Sequence, residues 1–193
     1  MGLNPKLVLA SSSPRRRDLL ARIGVEPARI ASPDIDESPL KAELPRVYAL
    51  RMAVEKALAV TRQQGEVILS GDTTVAVGRR ILQQATDADM QRRFLELLSG
   101  RRHHVLSAVC VIDTEGKART KMSDSIVRFK RLGNDEIDAY IACGEGIGKA
   151  GGYAIQGRAE ALVDWMAGSH SGVIGLPLYE TRLLLKAAGI AGL

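Results

Sequence analysis

The heptad Ser11-Ser12-Ser13-Pro14-Arg15-Arg16-Arg17 constrains this chain more than any other stretch, because it joins a strand directly to a helix. The apolar run Leu7-Val8-Leu9-Ala10 reads as a buried strand, and Leu19, Leu20 and Ile23 recur at helical spacing beyond Arg15. Ser13 is suited to cap that helix, with Pro14 at its first position. Free N–H groups at a helix start attract anions, and Arg15 and Arg16 add forked donors for phosphate oxygens. The segment therefore reads as a polyphosphate seat. It equally serves as an ordinary capped helix with solvated arginines, and the local sequence does not separate the two.

The rest of the chain alternates strand and helix signals. A short strand is expected at 28–32, then an acidic, proline-marked loop, Pro33 to Pro39. Val47, Leu50, Ala53, Val54, Ala57 and Leu58 repeat at helical spacing and predict a helix over 46–62 that carries Lys56. Val67-Ile68-Leu69 is a buried-strand run leading to Ser70-Gly71-Asp72-Thr73-Thr74 and Val75-Ala76-Val77. A turn at Gly78-Arg79-Arg80 returns a strand through Ile81-Leu82, and a helix over 86–98 starts at a Thr86 or Asp87 cap. Two long strands, 105–112 and 122–129, flank a hairpin turn. A helix capped by Asn134 or Asp135 runs to Ile141, followed by a glycine-rich stretch from Gly144 to Gly157. Ala161 to Met166 is strand-like and Pro177 to Ala187 closes the chain as a helix. Some strands connect through helices and others through tight turns, so an α/β fold with a mixed sheet is expected.

With 193 residues, 46% of them hydrophobic, the chain suits one domain or two closely joined lobes. No segment approaches the roughly 20 apolar residues of a membrane helix, and no signal-like apolar region precedes the first strand. A cytoplasmic protein without a membrane partner is the expectation. Cys110 and Cys143 lack metal or redox spacing and read as free thiols, and His103, His104 and His170 form no metal-ligand pattern. A net charge of +5 suits a polyanionic ligand, nucleotide or nucleic acid. Only 4% of residues are aromatic, too few for the stacking platforms of a single-strand binder, which shifts the balance toward a small anionic substrate.

Asp72 stands where an apolar strand gives way to glycine and threonine. Carboxylates at strand ends hold metals or activate water, and they also serve as turn residues bonding their own backbone. Glu37 is read the same way, as loop solvator or metal ligand. Two carboxylates beside a cation-rich phosphate seat suit Mg²⁺, which takes one or two carboxylates plus substrate phosphates. In Lys149-Ala-Gly-Gly-Tyr-Ala-Ile-Gln156-Gly157, Lys149 offers a point charge and Gln156 a donor and acceptor for a base edge. This is neither a Walker A nor a Rossmann motif. No Gly-x-Ser-x-Gly elbow is present, which disfavours a covalent serine hydrolase.

Taken in order, Leu9 to Arg16, Ile35-Asp36-Glu37, Arg51 to Ala57, Gly71-Asp72-Thr73, Leu97 to Gly100, Lys149 to Gly157 and Gly175 to Leu178 resemble the Maf family of nucleoside triphosphate pyrophosphatases. The resemblance covers nearly the whole chain. It implies a single domain over 1–193, with two lobes around a cleft in a mixed twisted sheet with flanking helices, similar to inosine triphosphatases. It implies cleavage of the α–β phosphoanhydride of a nucleoside triphosphate, releasing a monophosphate and pyrophosphate with a divalent cation, Mg²⁺ or Mn²⁺. Asp72 falls on the family's water-activating aspartate and shares metal duty with Glu37. Arg15, Arg16, Lys56 and Lys149, beside Ser13, match triphosphate-binding positions. Thr73, Gln156 and Arg15 match the specificity positions of the dTTP/UTP branch, whereas the 7-methyl-GTP branch usually has glutamine at position 73. A homodimer is compatible with the family. The same chemistry on 7-methyl-GTP or a modified nucleotide, and a non-enzymatic cell-division regulator or nucleic-acid binder, are the alternatives. Gln84 replaces the family's usual lysine, with Arg79 or Arg80 as nearby cations to compensate.

Overall fold

The computed structural model describes residues 5–192, and Met1 to Asn4 and Leu193 lie outside the described residues. Strand β1 (Lys6–Ala10) leads into helix α1 (Pro14–Ala21), followed by β2 (Arg29–Ala31), α2 (Pro45–Leu58), β3 (Glu66–Val77), β4 (Arg80–Leu82) and α3 (Ala88–Leu98). Then come β5 (Arg102–Ile112), β6 (Ala118–Phe129), α4 (Asn134–Ala142), a 3-10 turn (Arg158–Leu162), β7 (Val163–Ala167), α5 (His170–Ile174) and α6 (Leu178–Ala187). The strands form one mixed sheet in the order β2-β1-β3-β5-β6-β7, with β4 pairing β3 as well. β1 is parallel to β2 and β3, and the remaining pairs are antiparallel. The α/β class with a mixed sheet and flanking helices is the one expected.

β1 is buried on both faces, so its alternating residues feed two different cores. Val8 and Ala10 join Ala49, Ala53 and Ala57 of α2, and the alanines let that helix lie close to the sheet. Leu7 and Leu9 join Leu19 and Leu20 of α1, together with Leu95, Leu98, Phe129 and Leu185. Fully burying a leucine of this kind contributes about 1.5–3 kcal/mol.

The pairing register creates one opening. β1 covers β3 only as far as Ala10 opposite Ser70, and β4 resumes on that edge only at Val75. β5 covers the opposite edge throughout, from Ile68 to Ala76. Gly71, Asp72, Thr73 and Thr74 are thus unpaired on one side, just beyond the carboxyl end of the parallel strand β1, where α/β proteins gather ligands.

Several local expectations are corrected. Asp72 is not at a strand end, because β3 continues through it to Val77, held by β5. Ser13 occupies the cap position of α1, but its side chain makes no capping bond. Its N–H instead donates to Ser11 Oγ at 3.2 Å. Gly133, rather than Asn134 or Asp135, precedes α4, and its N–H donates to Glu136 Oε2 at 3.0 Å. α2 stops at Leu58 rather than residue 62. The short helix α5 has no counterpart among the sequence expectations. Asp87 caps α3 as expected, accepting from the Met90 N–H at 2.7 Å.

Candidate active site

The unpaired stretch of β3 forms the floor of an open cleft of about 660 Å³. Ser13, Arg15, Arg16, Glu37, Lys56, Asp72, Thr73, Lys149 and Gln156, the complete set singled out in the sequence, all line it. Gln84 lines it too, whereas Arg79 and Arg80 do not, so neither arginine stands in for the missing lysine.

Three carriers meet at the centre. Lys56, buried on α2, places its ammonium 2.8 Å from Asp72 Oδ1 and 2.7 Å from Glu37 Oε2. Asp72 Oδ2 accepts from Thr74 Oγ1 at 2.8 Å, a contact the two-residue period of a strand makes possible by turning both side chains to one face. Ser70, on the same face, donates its hydroxyl to the Ala53 carbonyl and ties β3 to α2. Asp72 is only 5% exposed and each of its carboxylate oxygens accepts one hydrogen bond, which fixes its direction.

Glu37 lies on a loop without regular structure, and α2 holds that loop at several points. Tyr48 donates to the Glu37 carbonyl at 2.8 Å, and Arg51 donates to the Ser38 carbonyl at 3.1 Å. Arg51 also grips Glu43 with two bonds of 2.7 Å, which raises its pKa, and the Ser38 N–H donates to Asp36 Oδ1 at 2.9 Å. Burial is the main cause of the raised Tyr48 pKa, with Asp72 and Glu37 adding to it, so its phenol stays a donor.

The cationic side of the cleft is built by α1 and the glycine-rich loop. Arg16 is locked, donating from Nε to the Gly175 carbonyl and from a terminal nitrogen to Ser11 Oγ, both at 2.9 Å. Burial pushes its pKa down, while Asp72 and Glu37 pull it up. Arg15 has a buried Nε without a partner among the described residues, and burial followed by repulsion from Arg16 lowers its pKa. Lys149 is lowered likewise, by burial and then by Arg15. Arg15, Arg16 and Lys149 thus bring positive charge into the cleft against the cost of burial, with Arg16 repelling Arg15 and Arg15 repelling Lys149.

The glycine-rich loop is pinned from two sides. A side chain at Gly151, which has φ +69°, would come within 2.8 Å of Val75 Cγ1, so glycine lets this loop close on β3. Gln91 of α3, wholly buried, donates from Nε2 to the Gly152 carbonyl at 3.1 Å. The Ala85 N–H donates to the Lys149 carbonyl at 3.1 Å, joining the loop to the segment bearing Gln84.

Val75, Val105, Tyr153, Ala154, Val173 and Ile174 contribute apolar side chains to the cleft lining. The Tyr153 hydroxyl is occupied by His103 Nε2 at 2.8 Å, so it presents a ring rather than a polar group. Burial pushes the His103 pKa down to about 4. Thr73 and Gln156 add polar side chains to the same lining. Thr73 Oγ1 donates weakly to the Gly175 carbonyl at 3.3 Å, and Ser107 donates to the Gly172 carbonyl at 2.6 Å.

Sequence reasoning missed Thr74, Tyr48, Gln91, Ser107 and the Gly175 carbonyl. Signals existed for most of them: Thr74 shares the parity of Asp72, Tyr48 lies two helical repeats before Lys56, and Ser107 interrupts an apolar strand. A backbone carbonyl leaves no such trace.

Among the described residues no three His, Cys, Asp or Glu side chains gather as a metal cage. Asp72 and Glu37 nevertheless share one cation, the Lys56 ammonium, and offer hard oxygen donors. That partial set fits an ion such as Mg²⁺, which completes its coordination with water and substrate phosphates.

Comparison with known proteins agrees with this architecture. The chain is 67% identical over 186 residues to a dTTP/UTP pyrophosphatase of Sphingopyxis alaskensis, covering 96% of this chain and 98% of that protein. It is 60% identical to a dTTP/UTP pyrophosphatase of Novosphingobium aromaticivorans, covering 97% and 94%. It is 51% identical to a nucleoside triphosphate pyrophosphatase of Anaplasma phagocytophilum, covering 93% and 94%. Among solved structures, a HAM1 protein of Coxiella burnetii shares the fold at a TM-score of 0.51 and 16% identity, covering 95% of this chain and 100% of that one. The family model described as Maf-like protein matches residues 6–188, and the chain belongs to that family.

Proposed function

We propose that this protein hydrolyses the α–β phosphoanhydride of dTTP and UTP, releasing the nucleoside monophosphate and pyrophosphate. The observation that carries the reading is the Asp72–Lys56–Glu37 triad facing a cleft lined by Arg15, Arg16 and Lys149. The names of the full-length relatives support it. Phosphoryl transfer needs little covalent chemistry and much positioning and charge neutralisation, and this site offers both.

In this reading the triphosphate lies against the start of α1, beside Ser13, with Arg15, Arg16 and Lys149 on its oxygens. Asp72 Oδ2 accepts the proton of the attacking water, while Lys56 and Thr74 hold the carboxylate in place. Asp72 and Glu37 would hold a divalent cation, which when bound neutralises phosphate charge. The pyrimidine lies against the apolar side chains of the cleft lining. Gln156 donates to its exocyclic carbonyl and accepts from its ring N–H, and Thr73 contributes a hydroxyl. The chain acts as one domain whose two lobes, the α1–α2 side and the glycine-rich loop side, flank the nucleotide.

The test is a panel of nucleoside triphosphates with Mg²⁺, with products separated and pyrophosphate measured. Preference for dTTP and UTP is expected, and it should be lost in Gln156→Ala. Equal turnover of all bases by the parent protein, or an unchanged preference in Gln156→Ala, would overturn the specificity assignment.

A further inference from the structure

A second hollow, of about 310 Å³, meets the cleft at Glu37, Asp72, Thr73, Gln84 and Ala150, which line both. The two spaces differ sharply in chemistry. Arg15, Arg16, Lys56 and Lys149 all face the cleft, and none of them lines the hollow. Apart from the shared carboxylates, the hollow is lined by neutral groups, among them Tyr48, Thr74, Gln83, Thr86 and Ile81. Asp72 straddles the boundary. Its Oδ1 is held by Lys56, which belongs to the cleft, and its Oδ2 by Thr74, which belongs to the hollow.

The cationic side chains that would draw a triphosphate or a departing pyrophosphate all face the cleft, and the hollow is lined by none of them. A neutral hydroxylic molecule suits the hollow, since hydroxyls and amides surround it and the base faces it. The hollow has room for several waters, each of which takes about 30 Å³ in the liquid.

We propose that this hollow is a nucleophile chamber, which delivers water to Asp72 and also admits a small neutral alcohol as an alternative acceptor. The proposal rests on the pyrophosphohydrolase reading above. The nucleophile's oxygen forms a bond to the α-phosphorus, and the bond from that phosphorus to the α–β bridging oxygen breaks. Pyrophosphate leaves with the electron pair, and the nucleophile's proton passes to Asp72 Oδ2. With water the product is the monophosphate, and with methanol it is the monophosphate methyl ester.

The experiment is turnover of dTTP in water–methanol and water–propanol mixtures, with esters and dTMP quantified by mass. Thr86 has an exposed side chain that lines the hollow but not the cleft, so Thr86→Phe should fill the chamber without touching substrate contacts. Ile81→Ala, on the half-buried side chain of β4, should enlarge it. The parent protein is expected to form ester. Thr86→Phe should cut the ester-to-dTMP ratio by about tenfold or more, as a steric change in a fitted pocket does. Ile81→Ala should raise propyl ester relative to methyl ester. An active parent that forms no ester, or ester ratios unchanged in both variants, would overturn the chamber while leaving the hydrolase reading intact. A parent that does not turn over dTTP would refute that reading, and this proposal with it.

Discussion

The Lys56 ammonium lies 2.8 Å from Asp72 Oδ1, in a setting where both side chains are almost fully buried. Breaking a buried pair leaves an unpaired charge, and here it also leaves Glu37 and Asp72 facing each other without their shared cation. Lys56→Met should therefore lower kcat by about 10²-fold or more, the usual scale for a group that stabilises charge at a reacting centre. Steady-state pyrophosphate release checks this, with thermal melting to confirm that the variant is folded.

Thr74 is linked to the same carboxylate from the other side. Thr74→Val keeps the shape of the side chain and removes the donor to Asp72 Oδ2. A hydrogen bond to a charged group is worth about 1.5–3 kcal/mol, so kcat should fall roughly 10- to 100-fold. KM should stay near its parent value, because Thr74 faces the hollow and does not line the nucleotide cleft.

Gln84 occupies the position where a lysine is usual in the resemblance. It lines the cleft, and neither Arg79 nor Arg80 does. Gln84→Lys should lower KM for dTTP by about tenfold, the weight of one charge-assisted contact to phosphate. Initial-rate kinetics in low salt would read the change, and it should shrink as salt is raised.

Gln91 acts through the backbone of the glycine-rich loop. Gln91→Leu leaves the buried Gly152 carbonyl without its donor, which should cost about 1–3 kcal/mol of stability by urea unfolding. Because that loop carries Lys149 and Gln156, KM should rise more than kcat falls.

His103 gives the fold an acid limit. Burial holds its folded pKa at about 4, against 6.5 for the exposed group. Below pH 6.5 the unfolded chain therefore binds a proton that the folded chain refuses. The stability this group contributes is full above pH 6.5 and is lost as pH falls toward 4, by up to about 3 kcal/mol. Urea midpoints measured between pH 7 and 4 should fall, and the drop should be smaller in His103→Asn, which cannot titrate.

How much of this was legible in the sequence depends on the kind of information. The strand–turn–helix from Leu7 to Ile23 could be read because Pro14 and the apolar periodicity are local signals. Asp72, Glu37 and Lys56 are separable from ordinary turn and surface residues only through the resemblance, since 34 residues lie between Glu37 and Asp72 and no local pattern joins them. The gap that exposes Asp72 is set by where β1 stops and β4 begins, which is a matter of register between strands distant in sequence. For the same reason the local sequence places Asp72 at a strand end, although β3 runs on past it. Ser13 failed as a capping side chain because Ser11 took over the local bonds, accepting from both the Ser13 N–H and Arg16.

The most direct test of the central claim is a single dTTP turnover in ¹⁸O-water by the parent protein and Asp72→Asn, with the label located in the products. Label in dTMP and none in pyrophosphate, with turnover reduced at least about 10²-fold in Asp72→Asn, is the predicted result. Label in pyrophosphate or in inorganic phosphate, or undiminished turnover by Asp72→Asn, would contradict it.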